Sequence, residues 1–214
     1  MDTNQLNDII RKVTEEVCAR YGVGGAPAAA GGEISAASLA SYIDHTLLKS
    51  DASEEEIRKV CDEAKKYHFA SVCVNPSYTK FVANQLEGSG VTTCCVIGFP
   101  FGTQTPEAKR SECLDAVCNG AKEIDMVINV GFGKSGHFDA VTEEIRAVKR
   151  SAGDRTLKVI VETCLLNEAE KARVCRCVEE GGAEYIKTST GFSSGGATLE
   201  DVRLFREHLG DRVK

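Results

Sequence analysis

The chain has 214 residues, of which 42% are hydrophobic and 27% are charged, and its net charge is −6. This length is enough for one large domain or two small ones, and the composition is ordinary for a globular protein. The negative charge argues against a nucleic-acid partner, whereas a small phosphorylated ligand needs only a few backbone N–H groups and one or two cations. The longest apolar run, residues 94–101, is too short to span a bilayer, so we expect no membrane partner.

The N-terminus lacks the cationic and apolar leader of a secreted protein. We therefore expect a cytoplasmic location, in which cysteines stay reduced. The chain has ten cysteines, but Cys94 and Cys95 are adjacent and one residue separates Cys175 from Cys177. These spacings differ from the paired C-x-x-C knuckles of zinc sites. We predict buried thiols, no metal ion and no other cofactor.

The first 34 residues differ in composition from the rest of the chain. Residues 1–21 are predicted to form an amphipathic helix, because apolar side chains recur there at a spacing of three and four residues. These side chains are Leu6, Ile9, Ile10, Val13 and Val17. Residues 22–34 are rich in glycine and alanine and are predicted to form a flexible linker. The remainder, residues 35–214, is predicted to be one (β/α) barrel domain.

From residue 35 onward, short apolar segments alternate with longer amphipathic ones. The apolar segments are typical of strands buried on both faces, and they cover residues 43–48, 70–74, 92–99, 123–130, 157–162 and 185–188. The intervening segments have the apolar spacing of helices, and they cover residues 53–67, 76–88, 105–119, 139–150, 167–180 and 199–209. Ser53, followed three residues later by Glu56, predicts the N-cap of the first of these helices. Six strand–helix repeats imply a parallel sheet with helical crossovers.

Such repeats occur both in (β/α)8 barrels and in doubly wound open sheets. No G-x-G-x-x-G follows the first predicted strand, which argues against the usual dinucleotide-binding sheet. Polar residues follow several of the strands, as they do in barrel enzymes. We therefore predict an α/β protein with a TIM (β/α)8 barrel. A complete barrel takes about 250 residues, and residue 214 falls where a seventh strand would begin, so we expect a barrel truncated in or after strand 7.

Two charged residues, Lys187 and Asp125, lie within apolar strands, where charged side chains are rare. One interpretation is a buried ion pair that fixes the strand register and has no catalytic role. The other is a lysine whose pKa is lowered by burial, so that its neutral amine attacks carbonyl groups. Lys214, at the start of the next predicted strand, favours the second interpretation, because neighbouring parallel strands lie about 5 Å apart and a second cation lowers the pKa of the first.

Six motifs, in the same order along the chain, resemble those of the deoxyribose-phosphate aldolase family. They are I-D-H-T-L-L-K at 43–49, V-C-V-N-P at 72–76, V-I-G-F-P at 96–100, E-I-D-M-V at 123–127, V-I-V-E-T at 159–163 and Y-I-K-T-S-T-G-F at 185–192. The last of these resembles the Schiff-base motif of the family. The resemblance implies a class I aldolase, which needs no metal and reversibly cleaves 2-deoxy-D-ribose 5-phosphate to acetaldehyde and D-glyceraldehyde 3-phosphate.

The resemblance also implies roles for individual residues. Lys187 corresponds to the imine-forming lysine, Asp125 to the acid/base aspartate, and Lys214 to a second lysine that lowers the pKa of the first and transfers protons. The implied substrate-binding residues are Asp44, Thr46, Cys73, Thr190 and Gly191. The family's phosphate site uses glycines and serines that would lie beyond residue 214. We therefore expect weak phosphate binding, and whether the 214-residue form is active is left open.

The resemblance and the N-terminal segment together suggest partners. Residues 1–20 resemble the encapsulation peptides that recruit enzymes into bacterial microcompartments, and the alternative is a helix that docks on the barrel. A homodimer is expected, because it is common in the family. Two other functions remain open at this point, namely a lysine-imine aldolase with another substrate and a truncated barrel that serves only as a scaffold or binding protein.

Overall fold

The computed structural model describes residues 39–214, so the predicted N-terminal helix and linker lie outside the described residues. Within this part, six parallel strands form one sheet in the order β1-β2-β3-β4-β5-β6. They are β1 (Asp44–Leu47), β2 (Ser71–Val74), β3 (Thr92–Ile97), β4 (Glu123–Val127), β5 (Thr156–Ile160) and β6 (Tyr185–Lys187). A doubly wound sheet reverses its strand order at a switch point. This order never reverses, so the sheet has the topology of a barrel.

The sheet curls strongly, so that distant strands face one another. The Lys158 ammonium on β5 lies 2.7 Å from Asp44 Oδ2 on β1, although in a flat sheet four strand spacings would separate these strands by roughly 19 Å. Beside β6, the Lys214 N–H donates to the Glu184 carbonyl at 3.0 Å and the Lys214 carbonyl accepts from the Ile186 N–H at 2.9 Å. Lys214 therefore continues the parallel hydrogen-bond pattern beside β6, and the predicted TIM-type architecture is confirmed.

Among residues 39–214, helices connect successive strands. They are α1 (Glu54–Tyr67), α2 (Thr79–Leu86), α3 (Pro106–Cys118), α4 (Val130–Lys134), α5 (Phe138–Ala152), α6 (Glu168–Glu180) and α7 (Leu199–Leu209), with 3-10 turns at Pro76–Tyr78 and Thr163–Leu165. The predicted N-cap of α1 is confirmed, because Ser53 Oγ accepts from the Glu56 N–H at 3.3 Å and Glu56 Oε2 accepts from the Ser53 N–H at 2.8 Å.

The sequence did not predict α4, and the predicted strand at 123–130 is too long. The strand ends at Val127, because the Asn129 side chain accepts a hydrogen bond from the Phe132 N–H at 3.1 Å. A side chain that satisfies a free N–H of the first turn starts a helix. The apolar residues after Val127 therefore belong to a short helix at the end of β4 rather than to the strand.

The protein has an apolar layer between sheet and helices and a more polar inner face of the sheet. Ile124 of β4 and Val148 of α5 belong to the largest buried apolar cluster, and Ile57 of α1 to a second one. Asp125 and Lys158, by contrast, are buried charged residues. Buried charges require partners, and the inner face is therefore the candidate location of a functional site.

The predicted absence of a membrane span and of disulfides can be compared with the described residues. No helix among residues 39–214 is both long and apolar enough to cross a bilayer. The nine cysteines of this part are free thiols. Cys118 and Cys164 are exposed, however, so the prediction that the cysteines are buried is wrong for these two.

Candidate active site

Lys187 and Asp125 meet inside the curled sheet. Lys187 ends β6 and Asp125 lies on β4, two strands away. The Lys187 ammonium donates a short hydrogen bond to Asp125 Oδ2, and its Nζ lies 3.6 Å from Asp44 Oδ2. The Asp125 side chain is 1% exposed, whereas 31% of the Lys187 side chain is exposed. The ion pair is therefore present, and it is open to a ligand from the lysine side.

The charges around Lys187 reverse the predicted direction of its pKa. Burial acts to lower the pKa of the ammonium, but the Asp125 carboxylate outweighs burial and holds this pKa above its usual range. The expected lowering is therefore wrong for this arrangement. A lysine held in this way is mostly protonated at neutral pH, so its ammonium must give up a proton before the nitrogen can attack a carbonyl group. Asp125 is in contact to receive that proton.

Lys158, which the sequence analysis missed, is the second buried ammonium of the site. Its Nζ lies 2.7 Å from Asp44 Oδ2, 2.5 Å from Glu123 Oε2 and 3.8 Å from Asp125 Oδ1. Burial acts to lower the pKa of Lys158, but its anionic neighbours outweigh burial and raise it. The ammonium groups of Lys187 and Lys158 thus balance two of the three negative charges of Asp44, Glu123 and Asp125. The signal that singled out Lys187, a lysine within an apolar strand, also marks Lys158.

Asp44 and Thr46 of β1 occupy different environments. Asp44 accepts hydrogen bonds from Ser71 Oγ and Lys158 Nζ, both at 2.7 Å. Burial acts to raise the pKa of the Asp44 carboxyl, but the Lys158 ammonium outweighs burial and lowers it. Thr46 is exposed, and its hydroxyl donates to the Asp44 carbonyl at 2.9 Å. Asp44 therefore belongs to the charged cluster, whereas Thr46 lies at its open edge.

Two cysteines complete the inner wall next to Asp125. Cys73 on β2 and Cys94 on β3 are paired in the strand register, and Cys94 Sγ donates to Asp125 Oδ1 at 3.2 Å. The hydrogen bond with Cys73, followed by burial, raises the pKa of Cys94 well above its usual range, so this residue is a thiol. The ligand atoms of Cys73, Cys94 and Asp125 lie within 4.8 Å of one another. Sequence spacing does not reveal this group, because its members come from three strands.

The loop after β6 carries the two remaining predicted substrate-binding residues, Thr190 and Gly191. The Thr190 N–H and hydroxyl donate to Glu162 Oε2 at 3.2 Å and 2.5 Å. The carboxylate therefore occupies the donors through which Thr190 could bind a phosphate group. Gly191 has a φ of 81°, a left-handed conformation that suits glycine. Beside this loop is a cavity of about 130 Å³.

Lys214 lies beside β6, where its backbone bonds to Glu184 and Ile186. Its Nζ is 5.8 Å from the centroid of the Tyr185 ring, and Lys158 Nζ is 5.9 Å from the same centroid. An ammonium group within about 6 Å of an aromatic ring is attracted to the ring. The site thus combines a carboxylate cluster with three lysines, one of which, Lys187, has a partly exposed amine. This arrangement is suited to carbonyl chemistry.

Comparison with known families identifies one that covers most of the chain. The profile described as DeoC/LacD family aldolase matches residues 38–212. A Streptococcus gordonii protein named deoxyribose-phosphate aldolase is 55% identical over 172 residues, which are 80% of this chain and 78% of that protein. A Brevibacillus brevis protein of the same name is 56% identical over 172 residues, with the same shares of the two chains.

Solved structures are similar in fold as well as in sequence. A structure described as "QR15, an Aldolase" has a TM-score of 0.78 and 40% identity, and the match covers 82% of this chain and 78% of that one. The tetrameric deoxyribose phosphate aldolase of Aeropyrum pernix has a TM-score of 0.75 and 30% identity, and the match covers 92% and 79% of the two chains. The similarity extends over the curled sheet that carries the lysine–aspartate cluster.

Proposed function

We propose, given that the chain belongs to the DeoC/LacD family of aldolases, that it is a class I aldolase acting on 2-deoxy-D-ribose 5-phosphate. The products are acetaldehyde and D-glyceraldehyde 3-phosphate, and the reaction is reversible. The observation that carries this proposal is the pair formed by the buried Asp125 carboxylate and the partly exposed Lys187 ammonium. Relatives named for this activity, at 52–56% identity over about four-fifths of the chain, support it.

The reaction begins with the amine of Lys187. Proton transfer from the ammonium to Asp125 leaves a neutral nitrogen, which attacks C1 of the open-chain sugar. Asp125 then returns this proton to the departing hydroxyl group, so that water leaves, a protonated imine forms and Asp125 is again a carboxylate. The protonated imine withdraws electrons from the C2–C3 bond. Asp125, directly or through water, takes the proton of the C3 hydroxyl, the bond breaks, and D-glyceraldehyde 3-phosphate leaves.

The remaining steps regenerate the enzyme. The enamine on Lys187 takes up a proton at C2, and water hydrolyses the resulting imine to release acetaldehyde. Lys214 is proposed to take part in these proton transfers from its position beside β6. Asp44 fixes Lys158 and adds negative charge near Lys187, and Thr46, Cys73, Thr190 and Gly191 are proposed to line the substrate path.

The test is a turnover assay in which glyceraldehyde 3-phosphate formation is coupled to a dehydrogenase. Wild type should cleave the sugar phosphate, and EDTA should not change the rate, since no step uses a metal. Lys187→Met should abolish cleavage, whereas the control Lys65→Met, which removes an i,i+3 surface ion pair with Asp62, should not. Activity lost with EDTA and restored by a divalent cation would contradict the mechanism, and would point to Cys73, Cys94 and Asp125 as ligands.

Location and assembly are proposed from the sequence of the N-terminal segment and from the family. We propose a cytoplasmic homodimer in which residues 1–20 recruit the enzyme to a bacterial microcompartment shell, with residues 22–34 as a linker. The amphipathic pattern of the N-terminal segment supports recruitment, and confinement suits a reaction that releases a volatile aldehyde. Deletion of residues 1–20 should abolish shell association and leave turnover intact. Sedimentation would separate a dimer from the tetramer described for the Aeropyrum pernix enzyme.

A further inference from the structure

Glu162, the second residue after β5, has an unusual backbone conformation for its place in the fold. Its φ of 54° and ψ of 65° are left-handed, and among residues 39–214 the only other non-glycine residue with positive φ is His68. His68 ends α1, where its N–H donates to the Ala64 carbonyl, a common use of this conformation. Glu162 has no helix to end. A strained residue persists when its surroundings fix it, and such residues concentrate at functional sites.

The side chain of Glu162 shows what this conformation achieves. Glu162 is 3% exposed, and its carboxylate accepts from the Thr190 N–H and hydroxyl at 3.2 Å and 2.5 Å. Thr190 Oγ1 in turn accepts from the Phe192 N–H at 3.1 Å. The Phe192 ring packs edge-on against Phe99, with a centroid distance of 5.4 Å. One buried carboxylate therefore orders residues 190–192 through two consecutive sets of hydrogen bonds.

The same segment forms a wall of a cavity beside the loop that follows Lys187. The cavity, of about 130 Å³, is lined by Glu162, Thr190, Phe192 and Ser193 together with residues that follow β3 and β4. Lys187 itself is held by other contacts, since its carbonyl accepts from the Val161 N–H at 3.0 Å and its ammonium is bound to Asp125. Loss of the Glu162 carboxylate would thus release the loop without releasing the amine.

We propose that Glu162 is a positioning residue that fixes the loop at 190–193 for the part of the substrate beyond the imine carbon. This inference rests on the proposed function, because it presumes that Lys187 binds the aldehyde end. Bond chemistry and loop positioning are thereby assigned to different residues of the site. Lys187 and Asp125 form and break bonds, whereas Glu162 acts only through Thr190 and sets how well the phosphorylated end is held.

The main test compares Glu162→Gly with His68→Gly, because both relieve a left-handed backbone that glycine adopts freely. Glu162→Gly should raise KM for 2-deoxyribose 5-phosphate by about tenfold or more, the effect of one lost hydrogen bond to a charged group. Borohydride trapping of acetaldehyde on Lys187, which needs no phosphate contact, should stay close to wild type. His68→Gly should change neither quantity. Far-ultraviolet circular dichroism and the urea midpoint would confirm that both variants fold.

A second pair of variants keeps the test decisive if Glu162→Gly is unstable. Thr190→Val removes the hydroxyl that Glu162 binds and should raise KM in the same way, and Glu162→Gln should give a smaller increase because it retains one acceptor oxygen. In the double variant Glu162→Gly/Thr190→Val, the effects should be far from additive.

Two results would overturn the role of Glu162 and leave the aldolase proposal intact. They are an unchanged KM in the variants, and an equal loss of acetaldehyde trapping and substrate binding. A wild-type protein that neither traps acetaldehyde on Lys187 nor cleaves the sugar phosphate would instead refute the proposed function, so the two failures are distinguishable.

Discussion

Replacing Asp125 by asparagine should lower the pKa of Lys187 while it abolishes efficient turnover. The Asp125 carboxylate is the main group that raises this pKa against the effect of burial. An amide of the same shape carries no charge, so the ammonium loses its strongest stabilising partner and the neutral amine becomes more populated. The same substitution removes the proposed acceptor of the C3-hydroxyl proton, so cleavage should become slower even though the amine is better prepared.

The expected size of the change follows from the remaining contacts of Lys187. An opposite charge in contact commonly moves a pKa by about 1 to 3. The low end applies here, because 31% of the Lys187 side chain is exposed and Asp44 remains 3.6 Å away. A decrease of about 1 in the pKa of Lys187 corresponds to about tenfold more neutral amine at a given pH below the midpoint. The raised native pKa also means that the ion pair stabilises the fold below the pKa of an unfolded lysine, and that this contribution is lost as pH rises through the folded value.

The assay is NMR titration of protein labelled with ¹³C at the lysine ε position, with Lys187 assigned from the spectrum of Lys187→Arg. In wild type, Lys187 should titrate above the ordinary lysine value of about 10.4, and in Asp125→Asn its midpoint should be lower by about 1. The control Asp62→Asn, which removes the carboxylate from an exposed i,i+3 pair with Lys65, should leave Lys187 unchanged. A wild-type midpoint below that of ordinary lysine, or no decrease in Asp125→Asn, would refute this account of the charges.

Two further predictions concern ion pairs on either side of the sheet. Because Lys158 lowers the pKa of Asp44, ionised Asp44 stabilises the fold above the pKa of an unfolded aspartate, and this contribution is lost as pH falls through the folded pKa. Asp44→Asn should therefore lower the free energy of unfolding by about 1–2 kcal/mol at pH 7. In urea unfolding at acid pH, the difference between the variant and wild type should vanish. Lys109 and Glu144 form a fully buried pair, so Lys109→Met alone should lower the free energy of unfolding by about 3–5 kcal/mol. Lys109→Met/Glu144→Leu should recover only part of this loss, because the Gly102 and Val127 carbonyls and the Asn129 N–H lose these partners. A single variant as stable as wild type in urea would contradict the second prediction.

The sequence predicted the parts of this structure that depend on local pattern. Buried parallel strands are apolar on both faces, so runs such as residues 157–162 indicated strands without any knowledge of their neighbours. Lys187 and Asp125 stood out because charges rarely lie in such runs. The sequential repeat of strand and helix then favoured a barrel, in which inner side chains of different strands converge.

The features that the sequence did not predict depend on distances across the curled sheet. The pKa of Lys187 is raised because Asp125 lies against its ammonium, and no spacing along the chain encodes that contact. The partnership of Lys158 with Asp44 joins residues 114 positions apart. Glu162 resembles any polar strand end in sequence, and its left-handed backbone and its bonds to Thr190 depend on where β6 places the following loop.

The most direct test of the proposed imine is borohydride reduction in the presence of acetaldehyde, followed by peptide mapping with mass spectrometry. Lys158 provides a matched control, because it is a second lysine on the inner face but is buried and bound by Asp44 and Glu123. The account predicts one reduced two-carbon adduct, located on Lys187, present in wild type and absent from Lys187→Ala. An adduct on Lys158 or on another lysine that persists in Lys187→Ala, or no adduct in wild type, would contradict the assignment of Lys187 as the nucleophile.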